Sequence, residues 1–155
     1  MRMVAPLRTE PARLRHVPQM TSILWRSNRC ADWLPAVRTR RTDLRLMTKV
    51  TRSGWVRMVK GPHGPAAFIA RDGSRIHALY VHPGAQRRGL GAALLDDAKQ
   101  HADRLDLWVA EANTQARAFY AAQGFAEDQR GIGGGNDENL PDILMVWRPE
   151  TRIAR

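Results

Sequence analysis

Cysteine is nearly missing from this chain: Cys30 stands alone among 155 residues. One thiol closes no internal disulfide and builds no multi-cysteine zinc site, which excludes a disulfide-stapled scaffold and a zinc ribbon. Such a residue is expected to be a small buried side chain in a reducing compartment. Long apolar runs are missing too. No stretch approaches the ~18 residues that a membrane span needs. Pro6 and Arg8 interrupt the opening segment before a signal-peptide core can form, so the cytoplasm is the expected location. There are no internal repeats and no low-complexity tract. His16, His63, His82 and His101 are too scattered to define a metal site, and no metal is expected.

Lysine is scarce as well, with only Lys49, Lys60 and Lys99, yet the chain carries a formal net charge of +10. Arginine supplies the rest, and it is unevenly placed. Residues 1–60 hold 14 basic side chains against Glu10, Asp32 and Asp43, a balance of +11; residues 61–155 balance at −1. The basic half can face nucleic acid, an acidic partner or a polyphosphate ligand. Equally, it can be a surface in which arginine replaces lysine. No regular aromatic pattern of the kind that stacks bases is interleaved with it.

What is present suffices for one domain with a real core: 43% of the residues are hydrophobic, and the length fits a single unit. Met3 to Arg8 reads as a first strand. Pro11 reads as the first residue of a helix that runs to about Cys30, perturbed near Pro18. Trp33-Leu34-Pro35 is a loop, and Thr42 caps a short helix to Val50. From Gly54 the pattern sharpens. Trp55–Val59, Ala66–Ala70 and Arg75–Val81 are strands, joined by turns at Gly61–Gly64 and Arg71–Ser74, and so form an antiparallel meander. A helix from Gly89 to Ala102 places Leu90, Leu94, Ala98 and Ala102 at four-residue spacing. Leu105–Val109 is a strand that completes a right-handed parallel crossover. Asn113 to Gln123 is a helix stopped at Gly124. A strand begins at Phe125, a glycine loop covers Gly131–Gly135, and Ile143–Trp147 is the last strand. Trp25, Trp33, Trp55, Trp108 and Trp147 are expected in the core or a cleft wall.

The sharpest local feature is Gln86-Arg-Arg-Gly-Leu-Gly91, placed where a strand ends and a helix opens. Backbone N–H groups converge at such a turn, and the helix dipole adds positive potential, which makes a seat for phosphate. Glycines at 89 and 91 let the backbone approach phosphate oxygens without a Cβ clash. No G-K-[S/T] follows, so this is not a Walker A loop. It has too few glycines, and no acidic residue ends the next strand, for a dinucleotide fingerprint.

With Asn113, Ala116, Phe119, Tyr120, Gly124 and Phe125, this turn carries a resemblance. The segment from Leu79 to Phe125 resembles the GCN5-related N-acetyltransferases (the GNAT family). Their acyl-CoA motif is a strand, a [R/Q]-x-x-G-x-[G/A] turn and a helix, and their later signature is N-x-x-A-x-x-F-Y-x-x-x-G-F. The resemblance implies a single α/β GNAT-like domain over residues 1–155, with a mixed, mostly antiparallel central sheet flanked by helices. Residues 1–53 would be variable acceptor-side helices, 54–148 the acetyl-CoA-binding core and 149–155 a tail. It implies acetyl transfer from acetyl-CoA to a primary amine of a small molecule or peptide, by direct attack in a ternary complex. The alternatives are a nucleic-acid-linked amine such as an aminoacyl-tRNA, or a non-catalytic CoA-binding module. No membrane partner is implied, and the chain would be a monomer or homodimer.

The same resemblance assigns roles. Backbone groups of Leu79, Tyr80 and Val81 would pair with the pantetheine arm. Gln86, Arg87, Arg88, Gly89, Leu90, Gly91 and Ala92 would form the pyrophosphate turn, and Asn113 would bond the cofactor arm. Tyr120 would protonate the leaving thiolate; phenol chemistry agrees, since a phenol close to a departing thiolate can supply a proton. Phe119 and Tyr120, being adjacent, are not expected to fill the core together. For the base, His77 is the best candidate on the strand before the turn, because histidine as a residue type suits proton transfer near neutral pH. Strand alternation puts it on one face with Leu79 and Val81, and puts Tyr80 on the other with Ala78 and Ile76. Glu111 and Glu138 are further candidates. Asp137, Glu138 and Asp142 in the late acidic loop can attract a cationic amine. Cys30 lies far from both motifs in sequence, which argues against a covalent thiol route.

Overall fold

The computed structural model describes residues 7–31, 39–131 and 140–149. The strand expected at Met3–Arg8 falls mostly outside these residues, as do the loop at Trp33–Pro35, most of the Gly131–Gly135 loop with Asp137 and Glu138, and most of the tail. One seven-stranded sheet carries the fold. Its strands are β1 (Glu10–Pro11), β2 (Val56–Gly61), β3 (Gly64–Asp72), β4 (Arg75–Val81), β5 (Leu105–Ala110), β6 (Ala126–Gly131) and β7 (Asp142–Trp147), in spatial order β1-β2-β3-β4-β5-β7-β6. All neighbours are antiparallel except β4 and β5. Helices α1 (Val17–Arg29), α2 (Arg40–Arg52), α3 (Leu90–Gln100) and α4 (Thr114–Ala122) cover the faces. This is the α/β domain expected from the sequence.

Two prolines act differently from their expected roles. Pro11 is not a helix start; it lies in β1, paired with Arg57. Pro18 does not disturb α1. It is the helix's second residue, where no backbone N–H needs an acceptor. α2 is likewise capped one turn earlier than expected: the Thr39 hydroxyl accepts the N–H of Thr42, at 3.2 Å, so Thr42 donates to the cap instead of forming it.

Alternation in β3 divides the core. Phe68 and Ala70 face α1 and α2, where they meet Met20, Ile23, Leu24 and Met47. Ala67 and Ile69 face the other way, toward Leu94 and Leu95 of α3, Leu105 and Leu107 of β5, and Met145 of β7. Burying each large aliphatic or aromatic side chain contributes about 1.5–3 kcal/mol. In β4 the alternation breaks. Ala70 pairs with Ala78 and Arg71 with Ile76, so His77 is bulged out of register. Ile76 therefore joins the face of Leu79 and Val81, not that of Ala78 and Tyr80. Trp108 is 41% exposed and is neither core nor buried wall; Cys30 is exposed at the end of α1, not buried.

β4 and β5 share one register pair, Arg75 with Asp106, at the start of both strands. The N–H of Asp106 reaches the carbonyl of Ser74 at 2.8 Å. The Asp106 carboxylate, buried on β5, pairs with Arg75 and, at 3.2 Å, with Arg104. Beyond this point the two parallel strands separate. Removing both cations leaves a buried carboxylate without compensation, which typically costs about 3–5 kcal/mol. Removing the carboxylate leaves two half-exposed guanidiniums that water can reach. Urea unfolding should therefore find the double variant Arg75→Met, Arg104→Met markedly less stable than Asp106→Asn.

Candidate functional site

The separation of β4 from β5 exposes the inner edge of β4. His82 donates its N–H to Ala66 on β3 at 2.8 Å, and Tyr80 and Ala78 sit opposite Phe68 and Ala70. By the antiparallel pattern, the N–H and C=O groups of Leu79 and Val81 point the other way, into the gap. One of these is already engaged: the Ser27 hydroxyl of α1 donates to the Val81 carbonyl at 3.3 Å. Arg26 beside it meets Nε2 of His82 at 3.1 Å, while Nδ1 of His82 accepts the N–H of Gly84. The end of α1 is thus joined to the end of β4. Neither Arg26 nor Ser27 was singled out from the sequence, because no motif marks a helix residue that bonds a strand 54 positions later.

The turn from Gln86 to Gly91 lies at the end of this edge. Two of its residues are left-handed: Arg87 at φ 67° and Gly89 at φ 77°. A non-glycine residue in that region stores about 1–2 kcal/mol, and such strain gathers at ligand sites. Gly89 is the N-cap of α3 and offers no side chain to its first turn. The first intrahelical bond runs from Ala93 N–H to Gly89 C=O, at 3.0 Å. The N–H groups of Gly89, Leu90, Gly91 and Ala92 therefore have no acceptor within the helix. Gln86, Arg87 and Arg88 are exposed around them. The two glycines serve different purposes from the shared one expected. A Cβ at Gly89 meets nothing within 4 Å, so backbone angle is what selects glycine there. A Cβ at Gly91 would sit 3.1 Å from Cζ of Phe119, so glycine is needed for helix packing.

That contact brings the two sequence motifs together. Phe119 lies on α4 against the start of α3, and Lys99 near the end of α3 donates to the Gln123 carbonyl at 2.6 Å. Tyr120 is buried, with ring centroids 5.3 Å from Phe119 and 5.5 Å from Phe125, both edge-on. Both Phe119 and Tyr120 therefore contribute to the core, contrary to the expectation from their adjacency: Phe119 packs over Gly91 of α3, and Tyr120 joins the buried cluster with Phe125. Burial, aided by the nearby Tyr80 phenol, pushes the Tyr120 hydroxyl well above its ordinary value. It is a phenol held protonated.

The remaining candidates are used less freely than expected. Asn113 caps α4, its Oδ1 accepting the N–H of Ala116 at 3.1 Å, which leaves its amide N–H₂ to meet a ligand. His77 is exposed and stacks on Trp55 at 5.4 Å. Glu111 accepts Arg130 at 2.7 Å. Asp142 is half-buried at the start of β7, and Glu138 lies outside the described residues.

Comparisons with known proteins bear on the family and the fold. The model of the acetyltransferase (GNAT) family matches residues 19–125. The peptidyl-lysine N-acetyltransferase YiaC of Escherichia coli K12 is 43% identical over 76 residues, which cover 49% of this chain and 51% of that protein. The chain spans about half or less of the length of the first curated relatives that it matches. Among solved structures, apo YjaB from Escherichia coli superposes with a TM-score of 0.78 at 23% identity, covering 94% of this chain and 98% of that one. The PaiA N-acetyltransferase of Thermoplasma acidophilum, solved with coenzyme A, gives 0.68 at 14% identity, covering 92% and 98%.

The two glycines of the turn should respond differently to alanine. Gly89→Ala forces an L-residue into the left-handed region, at about 1–2 kcal/mol. Gly91→Ala meets the Phe119 ring, which can shift by a few tenths of an ångström, so its cost should be smaller. Thermal unfolding of the two variants checks the order; equal losses would contradict the separate roles.

Proposed function

Because the chain belongs to the acetyltransferase (GNAT) family, we propose that it transfers an acetyl group from acetyl-CoA to a primary amine, with the amine attacking directly in a ternary complex. The observation that carries this reading is the gap between β4 and β5 with the start of α3 at its end. An open strand edge and four converging N–H groups fit an extended amide-bearing arm that ends in a pyrophosphate. Acetyl-CoA would supply the activated acyl group as a thioester.

This chain's residues would do the rest. Leu79 and Val81, with Tyr80 between them, hold the arm as an added strand. The N–H groups from Gly89 to Ala92 bind the pyrophosphate, with Gln86, Arg87 and Arg88 around it. The Asn113 amide N–H₂ donates to the arm. Tyr120 hydrogen-bonds the departing sulfur and hands over its proton as negative charge develops there; burial keeps the phenol protonated until that step. His77 and Glu111 are poor bases here, one stacked on Trp55 and the other paired with Arg130; water would carry the amine's proton away. The acceptor we favour is a peptide amine, supported by the similarity to a protein named as a peptidyl-lysine acetyltransferase. In this reading residues 54–148 form the cofactor core and residues 1–53 the acceptor side.

Calorimetry should detect acetyl-CoA binding by the parent and its loss in Gly89→Glu, which adds a negative side chain where phosphate must sit. Tyr120→Phe keeps the ring and removes the proton. It should retain cofactor affinity while kcat falls about 10²–10⁴-fold, the usual worth of a positioned acid. Since the raised phenol stays protonated, the parent should show no Tyr120-dependent alkaline fall below about pH 10, the ordinary value for tyrosine. Parent-like turnover by Tyr120→Phe would reduce Tyr120 to a packing residue. Cofactor binding without transfer to any amine would favour a sensing module.

A further inference from the structure

α2 carries an unbalanced charge pattern. Arg41, Arg45, Lys49 and Arg52 fall within an arc of about 80° along ~16 Å of helix, given 3.6 residues per turn and 1.5 Å per residue. They line an open groove of about 540 Å³, with Leu44 beside them. The one acid of the helix, Asp43, is buried on the opposite side, where it accepts the indole N–H of Trp25 at 2.9 Å. Arg40, next to the row, lies 4.8 Å over the Trp25 ring. Among the described residues none of the four row cations forms an ion pair, whereas Arg57, Lys60, Arg75, Arg104, Arg117 and Arg130 all do. Like charges four apart destabilise a helix by about 0.2–0.5 kcal/mol per pair. Among the described residues nothing offsets this cost.

We propose that the outer face of α2 is a docking ridge for the phosphate backbone of nucleic acid. A row of cations about 4.5–6 Å apart along one helix face matches a polymer that bears one anion per unit, and the guanidinium fork suits phosphate. The ridge carries no aromatic side chain, so it reads backbone and not bases. The hydroxyls in the groove add no donors: Thr48 bonds the Leu44 carbonyl and Ser53 the Lys49 carbonyl. Recognition is therefore by charge alone, indifferent to sequence and to sugar. A membrane surface fits less well, because Met47, the buried apolar residue of α2, faces the core and leaves only Leu44 and Leu46 outside. This inference stands on α2 alone and does not rest on the acetyl-transfer reading.

The test is fluorescence anisotropy with a uridine RNA oligomer and a thymidine DNA oligomer of equal length, across a salt series. Both should bind, with a log–log salt slope near −3 for four phosphates on a single strand. Arg45→Glu with Lys49→Glu should weaken binding at least ~10-fold at low salt and flatten the slope by about 1.4, two single-strand phosphate contacts' worth. The neutral pair Arg45→Gln, Lys49→Gln should act in the same direction should the reversed pair fold poorly by circular dichroism. Arg130→Glu with Arg148→Glu changes net charge equally and should leave binding near parent. Equal losses in the α2 and control variants would overturn the ridge in favour of diffuse charge. Competition by polyglutamate as strong as by RNA, or binding to phosphatidylserine vesicles but not to the oligomers, would overturn it too. Acetyl-CoA binding by calorimetry, which draws on residues 54–148 and not on α2, should persist in the α2 variants, so failure here and failure of the acyltransferase reading are separate results.

Discussion

The molecule depends on holding two parallel strands together at one point and nowhere else. Asp106 and its two arginines do this at the base of β4 and β5. A full ladder there would close the sheet and occupy the backbone groups of Leu79 and Val81. With no ladder the two half-sheets would be joined only through the apolar cluster that they share under α3. A single buried carboxylate, paired from both sides, is compatible with an opening above it in a way that an apolar contact is not. Its geometry is directional, and its partners must stay where they are.

Local chemistry decided how much could be read in advance. The meander from β2 to β4, the crossover through α3 and the helix after Asn113 were legible because alternation, four-residue spacing and turn glycines are written within a few residues of where they act. The glycine turn that opens α3 was legible for the same reason. Pro11 and Pro18 were misplaced because proline fits both a strand edge and a helix start, and only the β1–β2 pairing separates them. The bulge at His77 was invisible, since nothing in Ile76-His77-Ala78 marks a skipped register. That single slip reassigns Ile76 to the other face of the sheet. Residue type alone misjudges Cys30 and Trp108: Cys30 caps the end of α1, and Trp108 lies within β5 with its side chain exposed, placements that only the fold defines.

The candidate site shows the same division. Gly89 and Gly91 were both recognised, yet for one shared reason, while the fold gives each its own: one sets a backbone angle and the other admits a phenyl ring. Tyr120, read from the sequence as a proton donor, lies in the core. These properties are compatible because the desolvation that packs the ring also holds its proton. The contacts of Arg26 and Ser27 with the end of β4 had no signal at all, being long-range and made by ordinary polar residues.

The last strand enters the sheet between two earlier ones. β7 pairs with β5 along six residues and with β6 on its other side, and Ile143, Leu144, Met145 and Val146 are all buried. β6 thus has no place in the sheet until β7 exists. During synthesis the first 141 residues can form the meander and α3, but that half of the core waits for the final strand to slide into a prepared slot. Insertion of this kind joins residues distant in sequence and makes closure of the domain a late, concerted event. It also makes the chain intolerant of losing its end: a product cut short before Asp142 lacks the middle of a sheet, not its fringe, and exposes both neighbouring edges at once.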